Sequence, residues 1–233
     1  MTHEPLAGAE LDDLVRVVGA LLADEGGCAW NRSQTPESLV TYLLEETHEL
    51  VEAIEQGTSA DRREELGDVL YQVVLHAALA ERASSEPFDL ADVVRDVTAK
   101  TVRRHPHVFG TDEVADLDDI VRVWSAAKAR EKSTRLSAYD GVASGLPALA
   151  RAQKIEQRRR SGGAARPPAV SGDASDELAW GRAILAQVDA ATDDGIDAER
   201  ALRAAVRERE AQLRTREAEP AAREAETAVP PTD

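Results

Sequence analysis

Apolar residues recur along most of the chain at the three- and four-residue spacing of amphipathic α-helices, and alternating, strand-like patterns are rare. Alanine, leucine, glutamate and arginine, which favour helices, dominate these segments. The pattern therefore predicts an all-α protein. The predicted helices cover about residues 11–24, 36–56, 61–83, 89–104, 118–132, 147–160, 176–191 and 197–217.

A short turn joins the second and third predicted helices. Gly57 closes the second helix, and Thr58 with Asp61 approximates a capping box for the third. Because short connections favour antiparallel neighbours, we expect these two helices to lie side by side. One face of the third helix carries apolar side chains at helical spacing, and we expect it to face the core. That face consists of Leu66, Val69, Leu70, Val73, Val74 and Ala77.

Composition excludes several classes of function. The 233 residues include 28 Lys and Arg against 44 Asp and Glu, for a formal net charge of -16. This charge argues against binding to a nucleic acid polymer or to an anionic membrane. No apolar run approaches the length of a membrane-spanning helix, and the start of the chain lacks the pattern of a signal peptide. Cys28 is the only cysteine, so no internal disulfide can form. We expect a cytoplasmic protein.

Acidic residues are concentrated on the second and third predicted helices. They are Glu45, Glu46, Glu49 and Glu52 on the second helix and Glu64, Glu65 and Asp68 on the third. At about 100° per residue, Glu45, Glu49 and Glu52 lie within one arc of the second helix, with Glu46 beside them. Glu65 and Asp68 lie one turn apart on one face of the third helix, so an antiparallel pair brings four or five carboxylates together. Such a group repels itself unless a cation neutralises it, and oxygen ligands suit Mg²⁺ or Mn²⁺ better than zinc. The alternative is a solvated acidic face. Gly67, which costs about 1 kcal/mol inside a helix without a packing reason, favours the divalent-cation site.

The motif Glu45-Glu46-x-x-Glu49, followed fifteen residues later by Glu65-x-x-Asp68, resembles the EExxE…ExxD signature of the MazG family of all-α nucleoside triphosphate pyrophosphohydrolases. Other blocks agree in order and spacing. Residues 27–35, 67–74 and 103–109 resemble the family's CPWD-x-x-QT, GDLLFQVV and RRHPHVF segments, and residues 146–154 resemble the connector that follows. The chain is identified as a member of this family on these blocks.

The resemblance implies an enzyme that hydrolyses a (d)NTP between the α and β phosphates, giving a nucleoside monophosphate and pyrophosphate. It also implies dependence on Mg²⁺, with Mn²⁺ as a possible substitute, and a helical bundle that forms a homodimer. Carried over by position, the metal ligands are Glu46, Glu49, Glu65 and Asp68. Glu45 or Glu64 is then a candidate to orient or deprotonate the attacking water.

Several basic and aromatic residues are candidates for binding the substrate. Lys100, Arg103 and Arg104 match the family's basic positions and could bind phosphates, although the helix dipole alone favours basic residues in a last turn. Trp30 either stacks against the base or anchors its loop in the core. His105 and His107 flank a proline that ends the helix, and a local structural role is the more common one for such a pair.

The chain departs from the family in two places. Asn31 stands where the family usually has Asp, which affects base selection or loop rigidity. Residues 178–185 resemble residues 64–71, but Ala179 and Arg182 replace the two acids, so this copy cannot build a cation site.

The resulting division of the chain has six parts. They are an N-terminal helix at 1–25, a MazG-like catalytic domain at 26–132, a connector with a helix at 133–160, a flexible linker at 161–175, a degenerate second MazG-like segment at 176–217 and a disordered tail at 218–233.

Two alternatives to the enzyme remain at this stage. One is a catalytically weak nucleotide-sensing or interaction protein that binds partners through its helical C-terminus. The other is a redox-metal bundle, suggested by Glu45-x-x-His48, but the chain has no second Glu-x-x-His.

Overall fold

The computed structural model describes residues 7–131, 136–166 and 177–227. These residues form α-helices and no β-strand, which confirms the all-α class. In chain order the helices are α1 (Ala7–Leu21), α2 (Ala29–Arg32), α3 (Val40–Glu55), α4 (Ser59–Glu81), α5 (Leu90–Arg104), α6 (Pro106–Phe109), α7 (Leu117–Glu131), α8 (Ala148–Ser161), α9 (Glu177–Asp193) and α10 (Ala198–Thr227). The short helices α2 and α6 are additional to the predicted eight.

The chain divides into two compact units, Met1–Glu131 and Lys132–Asp233. In the first unit, α4 lies against α1, α3 and α5. The core of this unit consists of Val18, Leu22, Leu39, Val74 and Leu75, all fully buried. The helix pair α3 and α4, which carries the acidic residues, is therefore held in place by the same residues that form the core.

The turn between α3 and α4 has the predicted chemistry. The Gly57 amide donates to the Ala53 carbonyl at 3.0 Å, and a Cβ on Gly57 would lie 2.7 Å from that oxygen. The Asp61 amide donates to the Thr58 hydroxyl at 3.3 Å, and the Thr58 amide donates to the Asp61 carboxylate at 2.7 Å. This capping box starts α4 immediately after α3 ends, so the two helices run antiparallel.

The predicted core face of α4 is only partly correct. Val74 and Ala77 are buried, but Leu66 and Leu70 are 57% and 43% exposed, and Val73 is also exposed. In the described part of the first unit, α1, α3 and α5 cover one side of α4 and leave this side open. Helical spacing identifies an apolar face but does not show what covers it.

Two predictions about the C-terminal half need correction. The tail expected to be disordered from residue 218 continues as part of α10 to Thr227, because Ala, Glu and Arg favour helix; residues 228–233 lie outside the described residues. Within the expected flexible linker 161–175, Ser161 belongs to α8, and Arg166 forms ion pairs with Glu156 and Asp193. Residues 167–175 of that linker lie outside the described residues.

The second unit contains two networks of buried polar groups. Gln153 donates to the Thr192 hydroxyl at 3.2 Å and to the Ile196 carbonyl at 2.7 Å, and it accepts from the Ala198 amide at 2.8 Å. Glu156 is buried as well and accepts hydrogen bonds from Arg159 and Arg166. These networks connect α8 to α9, to the start of α10 and to the segment after α8. None of the helices in the described residues is both long enough and apolar enough to cross a membrane.

Candidate active site

The acidic residues of α3 and α4 converge between the two helices. One carboxylate oxygen from each of Glu46, Glu49 and Glu65 lies within 4.8 Å of the other two. Glu46 and Glu65 are half-buried, while Glu49 is exposed. This separation is short enough for one cation to bind all three oxygens.

The pKa of Glu46 and that of Glu65, the two half-buried acids, are both raised. Burial is the main cause that raises the pKa of Glu46, followed by the negative charges of Asp68 and Glu49. Burial also raises the pKa of Glu65, again followed by the charges of Glu49 and Asp68. The site therefore has a strongly negative potential that a bound cation would relieve.

Two oxygens at this site are buried without a hydrogen-bond partner among the described residues, Glu65 Oε2 and Gln72 Oε1. An unsatisfied buried polar group costs about 1–3 kcal/mol, more when it is charged. A hard divalent cation with its bound water would satisfy such oxygens. The donor set, which contains only oxygen atoms, thus fits Mg²⁺ or Mn²⁺.

Three other predicted acids, Asp68, Glu45 and Glu64, lie close enough to this group to act on it electrostatically. Asp68 is not one of the residues whose oxygens converge within 4.8 Å, although its charge acts on Glu46 and Glu65. Glu45 and Glu64 are exposed, and their charges act on Glu46 and Glu65 respectively. The structure brings the six acids into one electrostatic group, in which three side chains meet directly.

The predicted phosphate-binding arginines contact a different carboxylate. Arg104 donates to Glu131 at 2.6 and 3.0 Å, and Arg103 donates to the other oxygen of Glu131 at 3.3 Å. The Arg104 guanidinium also lies 5.7 Å from the centre of the Trp124 ring. The hydrogen bond from Arg104 is the main cause that lowers the pKa of Glu131. Lys100 is exposed on α5. No contact described for these arginines is with Glu46, Glu49, Glu65 or Asp68.

Trp30 and Tyr42 form an exposed aromatic pair. Their rings meet edge to face with centroids 5.4 Å apart, and Trp30 is 47% exposed. Tyr42 lies one helical turn before Glu46 on α3, so the pair is placed beside the acidic residues. The Trp30 ring is therefore partly exposed and packs against Tyr42.

Asn31, the departure from the family motif, is buried. The Tyr71 hydroxyl donates to its side-chain oxygen at 3.1 Å. Hydrogen bonds with Asn31 are also the main cause that lowers the pKa of Cys28. Asn31 therefore fastens α2, the short helix that carries Trp30, to α4, which supports the interpretation of rigidity over that of base selection.

The histidines do not join the acidic site. His105 Nδ1 lies 2.7 Å from the Thr101 carbonyl of its own helix, as expected for a local structural role. His48 is exposed and is not one of the converging ligands, which leaves the redox-metal alternative without a nitrogen ligand from this residue.

Sequence reasoning missed Gln72, Tyr42 and Glu131. Gln72 and Tyr42 lie one turn from Asp68 and Glu46 on the same helix faces, and helical spacing could have identified both. Glu131 is far from the arginines in sequence, and no local pattern predicts that contact.

The comparison with family models gives one description for this region. The model of the MazG nucleotide pyrophosphohydrolase domain matches residues 34–109. That stretch contains α3, α4 and α5 with all the predicted metal ligands. A 26.1 kDa protein in the blaB 3′ region of Streptomyces cacaoi is 43% identical over 200 residues, which cover 86% of this chain and 79% of that protein.

Two further relatives are named nucleoside triphosphate pyrophosphohydrolase. The protein of Mycobacterium tuberculosis is 46% identical over 134 residues, or 58% of this chain and 41% of that protein. The protein of Escherichia coli K12 is 37% identical over 151 residues, or 64% of this chain and 57% of that protein. The chain thus spans about half the length of these two relatives. With the family model matching the helices that carry the acids, and with similarity to the Streptomyces protein over most of its length, the chain belongs to the MazG family of nucleotide pyrophosphohydrolases.

Proposed function

We propose that the protein hydrolyses (d)NTPs between the α and β phosphates to (d)NMP and pyrophosphate in the presence of Mg²⁺. Its role would be removal of surplus or noncanonical nucleotides from the cytoplasmic pool. The proposal rests on one observation. Oxygens of Glu46, Glu49 and Glu65 converge on two helices that match the family model, and a partnerless buried oxygen lies among them.

Four carboxylates would hold the cation, namely Glu46, Glu49, Glu65 and Asp68. When bound, the cation supplies charge neutralisation for the triphosphate and a lower pKa for water. Glu45 and Glu64, the exposed acids that flank the site, are the candidates to orient or deprotonate the attacking water. The charge of Glu45 acts on Glu46 and the charge of Glu64 acts on Glu65. Substituting each of the two by Gln would show which one activates the water.

The triphosphate and the base would use the residues around the acids. Arg103 and Arg104 present forked donors that bind a phosphate in the way they now bind the carboxylate of Glu131. Lys100 adds a charge one turn earlier on α5. Trp30, with Tyr42, offers an aromatic surface for the base. For these arginines to bind a phosphate, their hydrogen bonds to the Glu131 carboxylate would have to break.

A homodimer belongs to the same proposal. The exposed apolar side chains of α4, Leu66, Leu70 and Val73, form a face that the described part of the first unit leaves open. Covering this face with a second copy would remove apolar surface from water, which stabilises association.

A panel of NTPs and dNTPs tests the activity, with separate detection of pyrophosphate and orthophosphate and with Mg²⁺, Mn²⁺ or EDTA. We expect pyrophosphate from at least one nucleotide, and only with a cation. Release of orthophosphate alone would show that a different bond is cut. Nucleotide binding without turnover would contradict the enzyme and favour the nucleotide-sensing or interaction protein.

A further inference from the structure

Gln72 is a buried polar side chain whose carbonyl oxygen has no hydrogen-bond partner among the described residues. It is 4% exposed and lies on α4 beside the core residues Val74 and Leu75. Its Oε1 atom has no hydrogen-bond partner among the described residues. A buried amide is unfavourable unless both of its ends are paired.

The other buried glutamine of the chain shows what a structural role looks like. Gln153 has all of its amide chemistry in use, with two donated hydrogen bonds at 3.2 and 2.7 Å and one accepted at 2.8 Å. Gln72 has comparable burial but leaves its acceptor unpaired. A partner that is not part of the protein chain would explain this difference.

The position of Gln72 identifies that partner. Gln72 follows Asp68 by one helical turn and Glu65 by two, so all three lie on one side of α4. Across the helix pair its amide lies close enough to the Glu46 carboxylate to act on it as a hydrogen-bond donor. Gln72 thus borders the converging carboxylates on the side of the core.

We propose that Gln72 is a positioning residue for the cation site: its Nε2 donates to Glu46 and its Oε1 accepts a hydrogen bond from a water bound to the divalent cation. This inference rests on the proposed function. The donated bond fixes the orientation of a ligand carboxylate, and the accepted bond orients one water of the cation. Partners of this kind are worth about 10–100-fold in metal affinity.

The test measures Mn²⁺ binding to the full chain without nucleotide, by the loss of the electron paramagnetic resonance signal of free Mn²⁺. Gln72→Met keeps the length of the side chain and removes both hydrogen bonds. We expect its Mn²⁺ affinity to fall about 10–100-fold, with a melting temperature equal to or above that of the wild type because an unpaired buried polar atom is removed. Gln56→Met, the same change at the end of α3, is the matched control and should bind as the wild type does.

The outcomes separate this inference from the proposed function. If the wild type binds Mn²⁺ and Gln72→Met binds it equally well, Gln72 is not a positioning residue while the cation site stands. If the wild type does not bind Mn²⁺, both proposals fail. If Gln72→Met melts well below the wild type, the Mn²⁺ affinity of Gln72→Asn is measured instead. This variant keeps a side-chain amide but places it one methylene farther from the carboxylates. Unchanged affinity in a stable Gln72→Asn overturns the inference, and reduced affinity supports it.

Discussion

At the scale of single residues, the proposed cation site depends on three carboxylates that come from two helices. Glu46 and Glu49 share a face of α3, and Glu65 approaches them from α4. Glu46 and Glu65 would be more stable apart, because burial and the neighbouring negative charges raise the pKa of both. Packing of the core of the first unit holds them together, and the proposed cation would make this arrangement favourable.

Glu49→Gln tests this arrangement directly. We expect Mn²⁺ affinity to fall at least about 10-fold because one converging ligand is lost, and pyrophosphate release to be abolished. The melting temperature without metal should not fall, since the change removes one charge from a repelling group. Titration with Mn²⁺ and thermal melting measure both quantities. Glu52→Gln, at an exposed acid of the same helix, is the control. Equal affinity in the two variants would contradict the site.

A substitution of Glu131 can distinguish a structural role of Arg103 and Arg104 from a role in binding phosphate, because both arginines donate to its carboxylate. Glu131→Gln removes the negative charge but keeps a hydrogen-bond acceptor. If the arginines bind the triphosphate, the variant no longer competes for them, and the KM for the substrate should fall by roughly tenfold, equivalent to about 1.4 kcal/mol. Steady-state kinetics measures this change. An unchanged KM together with a lower melting temperature would assign both arginines to structure.

At the scale of secondary structure elements, the sequence specifies the ends of α3 and α4 through local chemistry. Gly57 has no room for a Cβ, and the capping box of Thr58 and Asp61 satisfies amides at the start of α4. These contacts involve neighbours within four residues, which is why residue identity alone predicts them. The position of the acidic residues follows from this turn, because it sets how α4 returns along α3.

Thr58→Ala removes the cap that starts α4. We expect a loss of about 1 kcal/mol in the free energy of unfolding, because one amide at the helix start loses its partner. Denaturant unfolding of the full chain measures the loss. Thr47→Ala is the control, since the Thr47 hydroxyl bonds only to the Leu43 carbonyl of its own helix at 2.6 Å. A loss in Thr47→Ala as large as that in Thr58→Ala would count against the capping role.

Gly67 lies within α4, and the described residues give no packing reason for a glycine there. A glycine inside a strong helix indicates a packing reason, yet a Cβ at this position would meet no atom within 4 Å among the described residues. Gly67 lies on the same open side of α4 as the exposed Leu66 and Leu70. The reason for the glycine is therefore not found in the described chain, and a second copy packed on this side would supply one.

At the scale of the whole molecule, the apolar side of α4 bears on the assembly state. Leu70→Glu places a charge in the centre of that side. We expect the wild type to elute as a dimer and the variant as a folded monomer, because association would bury an unpaired carboxylate. Size-exclusion chromatography with light scattering measures the mass. Val17→Glu changes an exposed apolar residue of α1 and should leave the dimer intact. A monomeric wild type would remove the dimer from the proposal.

The second unit should show an acid-sensitive stability of its own. Hydrogen bonds from Arg159, and then from Arg166, lower the pKa of Glu156 from 4.5 to about 2. The folded pKa is below the unfolded one, so the charged pair stabilises the fold above about pH 4.5, and this contribution is lost as the pH falls toward 2.

Glu156→Gln should therefore cost about 2 kcal/mol at pH 7, because the buried Glu156 loses its charge-assisted hydrogen bonds with the half-buried Arg159 and the exposed Arg166. The difference in melting temperature between the variant and the wild type should shrink as the pH falls below 4.5. Glu210→Gln, in an exposed pair with Arg214, should melt as the wild type does at every pH. A difference that stays constant with pH would contradict the role of this ion pair.

The sequence by itself determined the helices, the turn between α3 and α4, and which carboxylates share a helix face. These features depend on contacts within a few residues, where residue type and spacing are sufficient. The family motifs extended that knowledge to Glu46, Glu49, Glu65 and Asp68 as the expected ligands.

Only the tertiary structure decided which of those acids meet, what the arginines bind and which polar atoms are left unpaired. Asp68 is outside the group of three, Glu131 occupies Arg103 and Arg104, and Gln72 has an unsatisfied oxygen. Each of these facts depends on distances between elements that are remote in sequence. Such distances follow from how the core packs, and periodicity along a single helix carries no information about them.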